Sequence, residues 1–511
     1  MSARRIAAGA VVLATVSATI VVGNSSYADS PDWRVVSTQV IPGGSVVRLR
    51  QAIDGVQVFG GELVQGKDGT GAVLSTLGKA STRHTGSFPA DGTAARNAAK
   101  ETAVTATKQN GTRVTGVKSF WYDASLTGED ATASAVPAYF VEVAGTTPEA
   151  RQTVVVNAND NKVLKVLDGV TQQQRTATVK AATSGRGNRV VCDADHKVVR
   201  FDPEHFGEMF SCGAGSEFQF SPARSEGRRA TGLAPVDRLY DHFGTAQDFY
   251  GKYTGIDLTD TLGVDYGDGK GKALRGTTRA CYQGPTWNQP DDMVLQCPWE
   301  GAWWGVSQLA VGDAVGADAL NAVGGAIDDG IINQTSGLYW GYAASIRFGL
   351  ADVFGKFIGI KAHEWADSGS RRWVIGTGSL SGYFRDLRNP AASNLRSGPG
   401  ADRVGGEHFV GPDDQPFSDS LIVGKTAYLI TDGDTFNGQD VHGIGEDKAI
   451  ALLWGVQNSL TETADFRDLG VALNTVCANN VKTGVAGTTA SDCDQVAKAV
   501  TATQLLPGSG S

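Results

Sequence analysis

Cysteine is missing from the first 190 residues, and no C-x-x-C pair occurs anywhere, which removes the usual cysteine-rich zinc modules. There is no cationic excess: 45 Lys and Arg stand against 54 Asp and Glu, for a net charge of −9. The electrostatic footprint of a nucleic-acid binder is therefore lacking, and the acidity is too evenly spread to single out another partner. Past residue 28 no apolar run is long enough to span a membrane. Histidine is scarce, and five of the seven (His84, His196, His205, His242 and His442) form no constellation.

What is present is ordinary for a folded protein, with 41% hydrophobic and 19% charged residues over 511 positions. That length suggests about three or four folding units. Residues 1–28 read as a secretory signal: Arg4 and Arg5, an apolar run from Ile6 to Val22, then Ser26-Tyr27-Ala28 with small residues where a signal peptidase cuts. An uncleaved anchor is the alternative, and export is preferred because small residues are frequent in the run and a cleavage site follows it. The six cysteines form three close sequential pairs, Cys192 with Cys212, Cys281 with Cys297 and Cys477 with Cys493. Six cysteines allow 15 connectivities, but in an exported chain the sequential pairing is the economical one. Each such loop closure contributes about 3 kcal/mol in the chain-entropy description.

Between residues 35 and 167 short β-rich runs alternate with turn signals at Asp54-Gly55, Gly60-Gly61 and Asp68-Gly69, predicting consecutive hairpins. A helix is expected over 94–108, strands over 137–144, 152–156 and 162–167, and a polar linker or processing region over 171–189. The run Arg48-x-Arg50-Gln51 followed by Asp54-Gly55-Val56-x-Val58-Phe59-Gly60-Gly61 resembles the propeptide of secreted thermolysin-like zinc peptidases. The strand–turn–strand around 138–167 resembles that propeptide's second module. Residues 236–257 form an amphipathic pattern, with Leu239, Tyr240, Phe243, Phe249 and Tyr250 on one face. This is core packing, and it also resembles the family's early catalytic-domain helix. Ala302 and Trp304 match the family's edge strand, with Gly301 in place of its substrate-holding Asn.

A zinc site on one helix needs two His at i, i+4, a Glu beside the first to take a proton from bound water, and a third ligand about one helix later. The stretch from Asn321 to Gly355 resembles that frame: Val323-Gly324, then GIINQTSGLY from Gly330 to Tyr339, then LADVFG from Leu350 to Gly355. With a one-residue deletion between the helices, the two His positions are Gly325 and Asp329, the base Glu is Ala326, and the third-ligand Glu is Phe348. Without the deletion the first three become Gly324, Gly325 and Asp328, which is no better. In the run matching the substrate-cleft helix, the oxyanion-stabilising His falls on Phe417. Arg347 precedes the third-ligand position and either pairs with Asp328 or Asp329 or points to solvent. Arg385 matches the family's substrate-contacting arginine, but support of the fold through local hydrogen bonds is the preferred reading of it, and Trp340 joins the cleft candidates. Of the calcium ligands the resemblance implies, Asp352 survives, but the acidic cluster around the next tryptophan reads Arg371-Arg372-Trp373. No cofactor is therefore expected, although the resemblance implies zinc and calcium. A relocated metal site using His363, Glu364 and His408, beside Glu407, is the alternative.

The expected architecture is α+β: a propeptide of two modules (35–90 and 91–170), the linker (171–189), a β-rich domain carrying the first site helix (190–335) and a mainly helical domain (336–505). Three functions stay open. The first is a secreted pseudopeptidase that binds peptide or protein segments without cleaving them, with no nucleic-acid partner and no membrane anchor once the signal is removed. The second is an active zinc endopeptidase with an atypical site. The third is a disulfide-stabilised extracellular scaffold.

Overall fold

The computed structural model describes residues 32–506 except 108–111, 129–132, 145–150, 169–186, 201–208, 217, 266–268, 287–288, 306, 313, 315–318, 364–367, 377–380, 396–397 and 412–415. The signal segment, most of the linker and Glu364 therefore lie outside the described residues. No helix among the described residues is long and apolar enough to cross a membrane.

The first part of the chain is one sheet of eight strands. Strands Trp33–Ile41, Gly44–Ile53 and Val56–Asp68 form an antiparallel meander, with Val73–Lys79 paired to the third. Asp54 and Gly55 both take positive φ (50° and 79°), the conformation that two-residue hairpin loops require. Helix α1 (Gly92–Thr107) follows, and its Ala99 and Ala103 press on Tyr139, Val141 and Val154 of the second module. That module is the antiparallel set Arg113–Tyr122, Val136–Ala144, Arg151–Asn157 and Val163–Asp168. A short parallel pairing, Val58 to Trp121 and Phe59 to Tyr122, joins the two modules into one sheet.

A second sheet begins at Asn188–Asp193 and is built around the long strand Lys272–Thr286, ending at the edge strand Ala302–Trp304. Helix α2 (Ala234–Tyr253) packs on it through Leu239, Tyr240, Phe243 and Tyr250. The 236–257 pattern is split: Gly255 turns to positive φ (75°), and Asp257 caps a separate short helix, α3 (Leu258–Leu262). The remaining helices, α4 (Ala319–Gln334), α5 (Tyr342–Lys361), α6 (Pro416–Thr431), α7 (Glu446–Ser459), α8 (Phe466–Thr483) and α9 (Ala490–Ala502), share one large core with α2. Residues 460–465 are the loop between α7 and α8, and its last residue, Asp465, caps α8 and forms a capping box with Asp468. All three expected disulfides are present: Cys192–Cys212, Cys281–Cys297 and Cys477–Cys493, the last joining α8 to α9.

The first sheet is docked on the helical region through buried charge. Arg48, 3% exposed, pairs with Glu62 at 3.1 Å and donates to the carbonyls of Asn458 (2.9 Å) and Leu460 (3.0 Å). Glu62 in turn accepts from the Glu462 amide at 3.2 Å. Nearby, Lys79 reaches Asp468 at 2.8 Å.

Candidate functional site

Helices α4 and α5 form an antiparallel pair whose close approach is set by small residues. A Cβ on Gly324 would meet the Ile358 side chain at 2.9 Å, and one on Gly325 would lie 3.1 Å from the Ala351 carbonyl. Helix α4 ends where Gly337, at φ 57°, donates its amide to the Ile332 carbonyl at 2.7 Å. Gly341, also at φ 57°, then admits the turn into α5. This hairpin brings position 347 opposite position 329.

Arg347 grips Asp329 with two parallel bonds, Nε to Oδ1 and Nη2 to Oδ2, the latter 2.7 Å. The side chains are only 16% and 15% exposed, so the pair sits in a low-dielectric setting where bidentate geometry counts most. Burial works against the guanidinium charge, but the Asp329 carboxylate outweighs it and holds the Arg347 pKa above its usual value. The guanidinium carbon also lies 5.1 Å from the Tyr339 ring centre. Beside this pair, the Phe348 and Phe417 rings pack with centres 4.7 Å apart and planes tilted by 33°. The two positions where the resemblance implies a third metal ligand and an oxyanion donor thus hold one aromatic pair.

Asp328 turns the other way. It is fully buried, and its Oδ1 accepts from the Tyr250 hydroxyl of α2 (2.7 Å) and the Gln457 amide of α7 (3.2 Å). Its Oδ2 has no hydrogen-bond partner among the described residues. Burial pushes its carboxyl up to about 8. Asp328 is therefore a buried tie between three helices. Trp340, 8% exposed, packs on the first sheet, 5.7 Å from the Phe59 ring, in a cluster with Tyr122 and Phe140. Arg385 pairs with Asp352 at 2.8 Å, on a two-residue strand that binds Val374–Ile375.

Zinc does not fit this donor set. Of the inherited positions Gly325, Ala326, Asp329 and Phe348, only Asp329 carries a ligand-type side chain, and both its oxygens are engaged by Arg347. Among the described residues no group of three His, Cys, Asp or Glu side chains is gathered for a metal ion. His363 lies just past the end of α5 with φ 57°, and His408 lies in the loop before α6, its carbonyl accepting from Ser418 at 3.1 Å. Sequence reasoning missed two features of the region. One is the Phe348–Phe417 contact, signalled by two phenylalanines at positions that the resemblance makes polar. The other is Lys356, a lone charge in the apolar run of α5.

Comparison with known proteins places this geometry in context. Residues 339–504 match the family described as thermolysin metallopeptidase, alpha-helical domain. A zinc metalloproteinase of Renibacterium salmoninarum is 36% identical over 477 residues, covering 89% of this chain and 81% of that protein. A thermolysin of Alicyclobacillus acidocaldarius is 26% identical over 257 residues, covering 47% of this chain and 40% of that protein. Among solved structures, the precursor of protealysin, a metalloproteinase from Serratia proteamaculans, aligns over 64% of this chain and 90% of its own with a TM-score of 0.45 at 18% identity.

Proposed function

The chain belongs to the thermolysin-like metallopeptidase family, and from that premise we propose that it holds peptide or protein segments without hydrolysing them. The observation that carries the reading is the Asp329–Arg347 ion pair. A metal entering there would have to displace a bidentate guanidinium, and it would then find one carboxylate, a glycine and a phenylalanine. Ala326 offers no group to take a proton from water, and Phe417 none to stabilise an oxyanion. Losing base, metal and electrophile together leaves no hydrolytic step for the remaining residues to perform. What survives is the edge strand Ala302–Trp304, whose open side suits an extended peptide. The disulfides suit an oxidising, extracellular compartment. A chain that cannot cut itself keeps its N-terminal sheet unless another protease acts near 171–189.

The scaffold reading has one observation of its own: Arg385, matched by resemblance to a substrate-contacting arginine, is committed to Asp352. One experiment addresses both readings. The protein, purified from a protease-deficient host and dialysed against zinc, is assayed for bound metal, for casein cleavage and for binding to an array of extended peptides. We expect no stoichiometric zinc, no chelator-sensitive cleavage and measurable peptide binding. One equivalent of zinc, with cleavage that a chelator abolishes and zinc restores, would overturn the proposal. Absence of peptide binding would leave the scaffold.

A further inference from the structure

Lys356 lies on α5 with none of its surface exposed. Its ammonium donates to the carbonyl of Val374 at 2.7 Å and to that of Arg371 at 3.4 Å. One helical turn earlier, Asp352 takes Arg385, whose backbone pairs with Ile375 in the same short ribbon. The Asp352 carboxyl is raised by burial and pulled back by Arg385 and then by Lys356, so the two cations share one anion. The neighbouring side chains fasten the same segment from outside: Arg372 bonds Asp432 (2.8 Å) and Glu446 (2.8 Å), and the Trp373 indole donates to Asp432 at 2.7 Å.

Two backbone carbonyls on one point, with the Asp352 carboxylate one helical turn away, are oxygens of the kind that a hard divalent ion collects. Here they surround a cation that the chain itself supplies. A calcium ion in this corner would meet the positive charges of Lys356 and Arg385 with only Asp352 to offset them. The inherited acidic positions around Trp373 are now arginines, so the donor set does not fit calcium.

We propose that Lys356 is the resident cation of this corner, anchoring the 369–376 segment to α5 so that the protein needs no divalent metal for that purpose. The test is thermal unfolding of the full-length protein in EDTA and in millimolar calcium, alongside Lys356→Met, which keeps the stem and removes the charge. The wild-type midpoint should be the same in both buffers to within about 1 °C. The variant should unfold at least about 5 °C lower, because the carbonyls of Arg371 and Val374 are left facing a thioether stem. A wild-type midpoint that rises by several degrees with calcium and falls with EDTA overturns the proposal, as does a variant with an unchanged midpoint. If Lys356→Met yields no folded protein, the wild-type comparison still decides.

Discussion

Replacing Arg347 by Met removes the guanidinium while keeping an unbranched stem over Tyr339. It leaves Asp329, only 15% exposed, without its bidentate donor. Removing one partner of a fully buried pair costs about 3–5 kcal/mol, whereas an exposed pair is worth about 1 or less. At the observed exposure an intermediate value applies, about 2 kcal/mol for Arg347→Met. Asp329→Asn keeps the shape and strands the arginine, at a similar cost of about 2 kcal/mol. The double variant no longer confines an unpaired charge, so its loss should be about 2.5 kcal/mol rather than the sum. The expected coupling is therefore about 1.5 kcal/mol. Urea unfolding of the wild type, the two single variants and the double variant measures this directly. Repeating the cycle at high salt should reduce the coupling only modestly, because the pair is mostly shielded from solvent ions. Additivity within about 0.3 kcal/mol would mean that Arg347 does not hold Asp329, and the argument that this carboxylate is unavailable to a metal would fail with it.

Two further outcomes follow from buried charge elsewhere. Asp328, pushed from 3.8 up to about 8 by burial, keeps its proton in the folded state at pH values where the unfolded chain has lost it. Its contribution is fully present below about pH 4 and is lost as pH rises through 8, with a slope of at most about 1.4 kcal/mol per pH unit. Asp328→Asn should flatten the pH dependence of urea stability in that window, and an unchanged slope would refute the assignment. Arg48 joins the N-terminal sheet to the carbonyls of Asn458 and Leu460 and neutralises buried Glu62. Arg48→Met should cost about 3 kcal/mol and make the sheet separate first under urea. Loss of both halves in one unshifted transition would show that the contact carries no load.

The readability of this chain divides along a physical line. Local rules left clear marks: Asp54-Gly55 names its hairpin because few residues accept positive φ at both positions, and the spacing of aromatics in α2 names a face because helical geometry repeats. The three sequential cysteine pairs were legible because short loops bring the sulfurs within reach. Side-chain direction was not legible where neighbours in sequence part company. Asp328 and Asp329 are adjacent, chemically identical and equally plausible partners for Arg347. The helix turns them about 100° apart, so one enters the core against Tyr250 and Gln457 while the other meets Arg347. Sequence alone puts Trp340 among the cleft candidates without a packing partner. Yet it packs on Phe59, which lies some 280 residues earlier in the chain, and no local pattern encodes such a contact. The residues at 325, 326, 348 and 417, which the resemblance sets against metal and catalytic positions, could be read one by one in the sequence. What surrounds those positions could be seen only in three dimensions, because an ion pair and an aromatic contact between separate helices are properties of packing. Packing also sets the order in which a metal centre could be built here. Placing His and Glu at the positions that the resemblance implies puts a side chain at Gly325 against the Ala351 carbonyl and leaves Arg347 competing for Asp329. Ligands alone should therefore fail to recruit zinc until Arg347 is also replaced and the α4–α5 spacing is relaxed.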